Sequence, residues 1–313
     1  MKRVLVTGAT GFVGRHCLSA LLERGYEVHA VTSQTPTVQT GDVRWRQADL
    51  LDPLIVGELT RDVRATHLLH CAWYAEPGSY WTSLENVRWV QASLELFQGF
   101  SRHGGQRVLV AGSCAEYDWA YGYCSESVTP CSPRTLYGVS KHALHLLLDA
   151  FATQVGLDVA WGRLFFLFGP HESPQRLVAS VIQALLRGEP ALCSHGGQIR
   201  DFLCVTEAAQ ALVAVLDSDV GGAVNIGSGC PVSVRDVVTT IARIVDRENL
   251  VRFGALPTPA EEPPLLVADV RRLHSLVGWQ PRCGLEDALR TTIDWWTAHS
   301  GAIHSPISGE LVR

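Results

Sequence analysis

At 313 residues the chain is long enough for a large core, close to the size at which one core divides into two domains. Hydrophobic residues make up 47% of it, which excludes a disordered protein. A formal charge of -5 leaves no basic surplus for nucleic acid or an anionic membrane, so any bound anion must be held locally. Nine cysteines without a Cys-x-x-Cys pair, and no secretory leader, predict reduced thiols in a cytoplasmic protein. Cys193 and His195, like His70 and Cys71, have no further partner at zinc spacing, so no metal is expected. No uncharged apolar run approaches the ~20 residues that span a bilayer.

The apolar run Arg3 to Thr7, the turn Gly8-Ala9-Thr10-Gly11-Phe12-Val13-Gly14 and the amphipathic stretch to Arg24 predict a strand, a tight turn and a helix. Glycines at that spacing permit the turn and the close approach of a pyrophosphate, and the helix start offers free N–H groups to it. Gly8, Thr10, Gly11, Phe12, Val13 and Gly14 are therefore candidate dinucleotide contacts, although an ordinary glycine-rich turn looks the same. The second strand, Tyr26 to Val31, is followed by Thr32-Ser33-Gln34, with no carboxylate for a ribose 2′-hydroxyl. Thr32 and Ser33, with Arg15, suit a phosphate, so NADP is expected before NAD. After a third strand, Val43 to Gln47, Asp49 and Leu50 reach either the adenine or, in the case of Asp49, the start of the next helix.

The fourth strand, Thr66 to Cys71, ends at Ala72, and the small residues Cys71 and Ala72 leave room for the cofactor's phosphate and ribose. An aromatic loop, Trp73 to Trp81, leads to a helix over Leu84 to His103. A fifth strand, Arg107 to Gly112, delivers Ser113. Tyr137 and Lys141 share one face of a helix running to about Val155, and Leu157 to Phe168 reads as a single strand. This alternation predicts an α/β fold with a doubly wound parallel sheet. Residues 1–168 are expected to form the dinucleotide-binding domain and 169–300 a smaller, mostly helical substrate domain, some segments returning to the first, with 301–313 as a tail.

Ser113, Tyr137 and Lys141 share a chemical rationale. Hydride movement at carbon requires proton movement at the attached oxygen, so an acid/base must stand beside the nicotinamide. A phenol is a weak base at neutral pH unless an ammonium, here Lys141, favours its ionised form. Ser113 would hold the substrate oxygen.

These motifs, in this order, resemble the extended short-chain dehydrogenase/reductases, in the NAD-dependent epimerase/dehydratase branch that acts on nucleotide sugars. The resemblance rests on the glycine turn, Asp49-Leu50, Ser113-Cys114-Ala115-Glu116-Tyr117, Tyr137-Gly138-Val139-Ser140-Lys141 and Gly169-Pro170. It continues through Arg200-Asp201-Phe202, Asn225-Ile226-Gly227-Ser228-Gly229 and Gly278-Trp279-Gln280-Pro281. It implies Ser113, Tyr137 and Lys141 as the catalytic triad, with Tyr137 and Lys141 also touching the cofactor. It further implies a nucleoside-diphosphate sugar as substrate, Arg200 on its diphosphate, and a homodimer through the two long helices. Cys114 and Ala115 stand where 4,6-dehydratases carry an Asp-Glu pair, which disfavours dehydration. Pro259 replaces a further arginine of some members and leaves Glu262 as a ribose contact; Ser113 and Cys114 are the other substrate candidates. The first expectation is an NADPH-dependent 4-ketoreductase of a nucleotide-linked deoxysugar. A C4 epimerase with tightly bound NAD is the alternative, and a non-catalytic dinucleotide sensor a third.

Overall fold

The computed structural model describes residues 2–34, 41–258 and 261–299. The expected tail at 301–313 and Pro259 lie outside them. In chain order, β1 (Arg3–Thr7), α1 (Gly14–Glu23), β2 (Glu27–Thr32), β3 (Arg44–Gln47), α2 (Pro53–Val63) and β4 (His67–His70) open the fold. They are followed by α3 (Glu85–Arg102), β5 (Arg107–Ser113), β6 (Tyr123–Cys124), α4 (Leu136–Val155), β7 (Asp158–Leu164) and β8 (Phe166–Phe168). Next are α5 (Leu177–Leu186), β9 (Ala191–Leu192), β10 (Ile199–Cys204), α6 (Val205–Asp217), β11 (Gly222–Ile226) and β12 (Pro231–Ser233). The last elements are α7 (Val234–Ile244), β13 (Val251–Arg252), β14 (Leu265–Ala268) and α8 (Leu285–His299).

Local chemistry sets the ends of the helices that matter for the site. Asp52 caps α2 by accepting from the Leu54 N–H at 2.9 Å, with Pro53 in the first helical position. The cap is therefore not Asp49, whose carboxylate folds onto the Leu51 N–H at 3.0 Å. Thr135 caps α4 through the Gly138 N–H, and Gly156, at φ +70°, closes it.

Seven strands form one parallel sheet in the order β11-β7-β5-β4-β1-β2-β3. Helices α1 and α6 cover one face, burying Cys17, Leu21, Leu212 and Val215. Helices α2, α3 and α4 cover the other over Val56, Phe97, Leu144, Leu148 and Trp161. Strand order reverses between β1 and β4, so a crevice opens at their carboxyl ends, where ligands of such sheets bind.

Two expectations change here. Leu157 to Phe168 is not one strand. β7 pairs with β5 and β11 in the large sheet, whereas Phe166, Leu167 and Phe168 pair with Phe202, Leu203 and Cys204 of β10 in a second sheet. The change falls at Phe165, whose N–H bonds Ile226 O at 3.1 Å. Both halves are apolar because both are covered by protein, so hydrophobicity alone cannot mark the handover. The region beyond residue 168 also holds more strand than its pattern predicts: its β12, β10 and β14 join β6 and β8 from the earlier chain in a five-stranded sheet beside α5, α7 and α8. Both α6 and β11 return to the seven-stranded sheet. Among the described residues, no helix is long and apolar enough to cross a membrane.

Candidate active site

The crevice is floored by backbone. Gly8 turns at φ +64°, and a Cβ there would come within 2.7 Å of Ala72 N; one at Gly14 would come within 2.2 Å of Gly8 O. The start of α1, the end of β1 and Cys71-Ala72 are thus pressed together at the point where the sheet reverses. Thr10 and Gly11 are exposed at the crest, and no side chain caps the amino end of α1; the Arg15 and His16 N–H groups donate to Gly11 O and Val13 O, and the turn just before them faces an incoming anion. Phe12 lies edge-on to His16, and Val13 packs into the core. This cradle fits a dinucleotide pyrophosphate.

At the ribose end the placement is less complete. Thr32 is buried with its hydroxyl accepting from the Gln34 N–H at 3.2 Å, and Ser33 is exposed. Arg15 folds back onto Thr10 O, its Nη2 at 2.6 Å, rather than toward Ser33. Asp49 is exposed and Leu50 is buried beside it.

The second group is assembled where α4 meets the end of β5. A Cβ at Gly138 would come within 2.3 Å of Ala115 O, so the first turn of α4 sits directly on the segment after Ser113. Tyr137 and Ser113 are both half-buried, and the Ser113 side chain acts on the Tyr137 phenol. The Ser113 hydroxyl also accepts from the Ala115 N–H at 3.1 Å. Burial pushes the Tyr137 phenol up, with Tyr80, Cys114 and Glu116 adding to the rise, and the Ser113 side chain opposes them.

Lys141 is buried, donates to Ala111 O at 2.9 Å, and lies 3.8 Å from the centre of the Trp73 ring. Burial pulls it down to about 7, against the attraction of Glu116 and Cys71. The expected lowering of the phenol by a Lys141 ammonium is not what this arrangement produces. The amine faces Ala111 and Trp73, and desolvation governs both groups.

Several supporting residues were not singled out from sequence. Tyr80 and Trp81 stand edge-on to Tyr137, with ring centres 5.0 and 5.7 Å away, and Trp81 O accepts from the Tyr137 N–H. Glu116 is wholly buried and accepts from the Ser113 N–H and Trp161 Nε1, both at 2.8 Å, and from Arg163 Nε at 3.0 Å. With the Ser113 hydroxyl it completes a reciprocal cap. Its signal was present, since Ser113 and Glu116 have capping-box spacing. Arg163, its partner, lies in an apolar run and gave none.

On the substrate side, Arg200 is buried on β10, with its guanidinium over the Phe166 ring at 5.2 Å and paired with Glu262. The structure thus brings together two residues that the sequence assigned separately to diphosphate and ribose. Asp201, next to it, does not pair with Arg200 but accepts from the N–H groups of Ser228, Gly229 and Ala268. Cys114 lies between the two groups: burial drives its thiol well up, and the charge of Arg200 reaches it.

The family model for the NAD dependent epimerase/dehydratase family matches residues 4–227. The chain belongs to that family. UDP-glucuronic acid decarboxylase 1 of Xenopus tropicalis is 28% identical over 94% of this chain and 72% of its own length. Among solved structures, MoeE5 in complex with UDP-glucose and NAD is 33% identical, with a TM-score of 0.83 over 95% of this chain and 99% of that one. The UDP-glucose 4-epimerase of Thermus thermophilus, in complex with NAD, is 26% identical, with a TM-score of 0.82 over 94% and 99%. Family members like these are NAD-dependent enzymes of nucleotide sugars, and the expectations of family, sheet and chemistry class from the sequence hold.

Proposed function

We propose that this family member acts at C4 of a nucleoside-diphosphate sugar, with Tyr137 exchanging the proton at the C4 oxygen. The observation that carries this is the seating of α4 on the segment after Ser113, which sets the Ser113 side chain against the Tyr137 phenol at the end of the sheet that also carries the glycine cradle. When bound, the nicotinamide supplies the hydride acceptor or donor. The chain's own part is positional and acid–base. Ser113 orients the sugar oxygen, Tyr137 takes or returns its proton, and Lys141 holds the ribose side. Gly8, Thr10, Gly11, Phe12, Val13, Gly14, Thr32, Ser33, Asp49, Leu50, Cys71 and Ala72 would line the dinucleotide. Arg200 would clamp the diphosphate with a guanidinium fork, and Cys114 and Glu262 would border the sugar and ribose.

The favoured outcome is a C4 epimerase that retains NAD. It is supported by MoeE5, whose structures with NAD hold UDP-glucose and UDP-glucuronic acid. It is also supported by Cys114 and Ala115, which offer no carboxylate for water loss. A 4-ketoreductase using NADPH is the second reading, favoured by Thr32 and Ser33 in place of a ribose carboxylate. The chain pairs as a homodimer along α3 and α4, where Val87, Val139, Leu146, Leu147 and Val155 are exposed. The deciding experiment incubates purified protein with UDP-glucose or UDP-glucuronic acid and no added cofactor. The 4-epimer should form while bound NAD persists. Stoichiometric consumption of NADPH by a 4-keto sugar, without epimerisation, selects the reductase.

A further inference from the structure

Beneath the Ser113 cap, on the side of Glu116 that faces α4, lie two histidines that the proposed reaction does not use. One ligand atom each from Glu116, His142 and His145 come within 4.8 Å of one another. The two histidines stand three residues apart on α4 and so share a face of that helix. We propose that Glu116, His142 and His145 form a binding site for a divalent transition-metal ion of the zinc type.

The lone pairs support this arrangement. A carboxylate has about four acceptor positions. Three on Glu116 are taken, by the Ser113 N–H and Trp161 Nε1 on Oε1 and by Arg163 Nε on Oε2, which leaves one position on Oε2. That oxygen is 3.9 Å from His145 Nδ1. His145 is 6% exposed and stacked flat on Trp161, and neither of its ring nitrogens makes a hydrogen bond. His142 Nδ1 is likewise buried without one. Unsatisfied buried nitrogens in a packed core are costly, and one from each histidine beside the open position on Glu116 calls for a common partner.

Charge limits which partner. The Arg163 guanidinium is close, but Glu116 offsets it, and the Asp149 carboxylate stands 3.3 Å from His145 Nε2 on the outer side. Two imidazoles and one carboxylate suit zinc, copper(II) or nickel(II), whereas magnesium and calcium favour oxygen ligands. Sequence spacing did not reveal the site because its donors come from β5's cap and from α4, on separate segments. The inference does not depend on the reaction proposed above.

The test uses full-length protein stripped with EDTA, with the two exposed thiols removed by Cys230→Ser and Cys283→Ser so that they cannot take up metal. Calorimetric titration with zinc chloride should show one saturable micromolar site per chain. His142→Ala, at a half-buried helix position, should weaken it by about tenfold or more while circular dichroism stays unchanged. Cobalt(II) as a spectroscopic probe should give visible bands of nitrogen and oxygen ligation, and magnesium chloride should give no heat of binding. Absence of a saturable zinc site, full affinity in His142→Ala, a strong cobalt–thiolate band, or equal binding of magnesium would each overturn the assignment.

Discussion

The wall that follows β1 is made of backbone. Its shape is set by the turn at Gly8, by the contact of Gly14 with Gly8 O and by the small residues Cys71 and Ala72. The wall around Arg200 is made of long side chains: Arg200 with Glu262 and Phe166, and Asp201 gathering N–H groups from the Ser228-Gly229 loop and from the end of β14. The difference shows where each can change. A backbone cradle tolerates almost no substitution and serves one ligand class, whereas a side-chain wall can be rebuilt for another sugar without moving a strand.

Between the two walls stands Tyr137, and its replacement should have the largest effect. Tyr137→Phe should lower kcat by about 10³-fold while leaving NAD affinity within about twofold, as measured by steady-state kinetics and fluorescence titration. Activity close to that of the parent would remove the phenol from the chemistry.

Gly14→Val attacks the backbone wall. Its added carbons must displace Gly8 O, so a loss of about 2–3 kcal/mol in urea unfolding and no measurable NAD binding are expected. An unchanged NAD titration would show that the contact is not needed for the cradle. The matching test of the side-chain wall is Arg200→Ala. It should raise the KM for the sugar nucleotide by about 10- to 100-fold, the worth of one charge-assisted diphosphate contact, with some loss of stability from the emptied buried pair and NAD binding little changed. If NAD binding fell instead, the division of labour between the walls would be wrong.

The smallest effect concerns Glu172, a buried carboxyl just after Pro170, pushed up to about 8 by desolvation. Its native pKa lies above its unfolded value of about 4.5, so the folded chain binds the extra proton between those limits. Its contribution to stability is complete below about pH 4.5 and is lost as pH rises toward 8. Glu172→Gln should flatten that part of the stability–pH curve in urea titrations. An unchanged slope would show that Glu172 does not titrate there.

The two walls also differ in how far the sequence disclosed them. Strand, glycine turn and helix start follow one another within 14 residues, so local pattern was enough to put Gly8 and Gly11 in the turn between β1 and α1 and Gly14 at the start of α1. Tyr137 and Lys141 were legible for the same reason, being one helical turn apart. Ser113 was readable as a strand end. Glu116 with Arg163, and Arg200 with Glu262, are partners distant in sequence, and pairings of that kind leave no periodic trace. The transfer at Phe165 was hidden because both sheets demand apolar residues, and the direction in which the Lys141 amine points depended on Trp73, which read only as a loop aromatic.

The bend at Phe165 has a bearing on substrate range. Leu164 lies in register with Ser113, and Phe166, two residues on, lies under the guanidinium of Arg200. On the proposed reading, this splice would set the span between the reacting carbon and the diphosphate anchor. A hexose and a uronic acid present the same span and differ only at C6, so exchange between them is a matter of local carving. A sugar one ring carbon longer would have to break the splice itself.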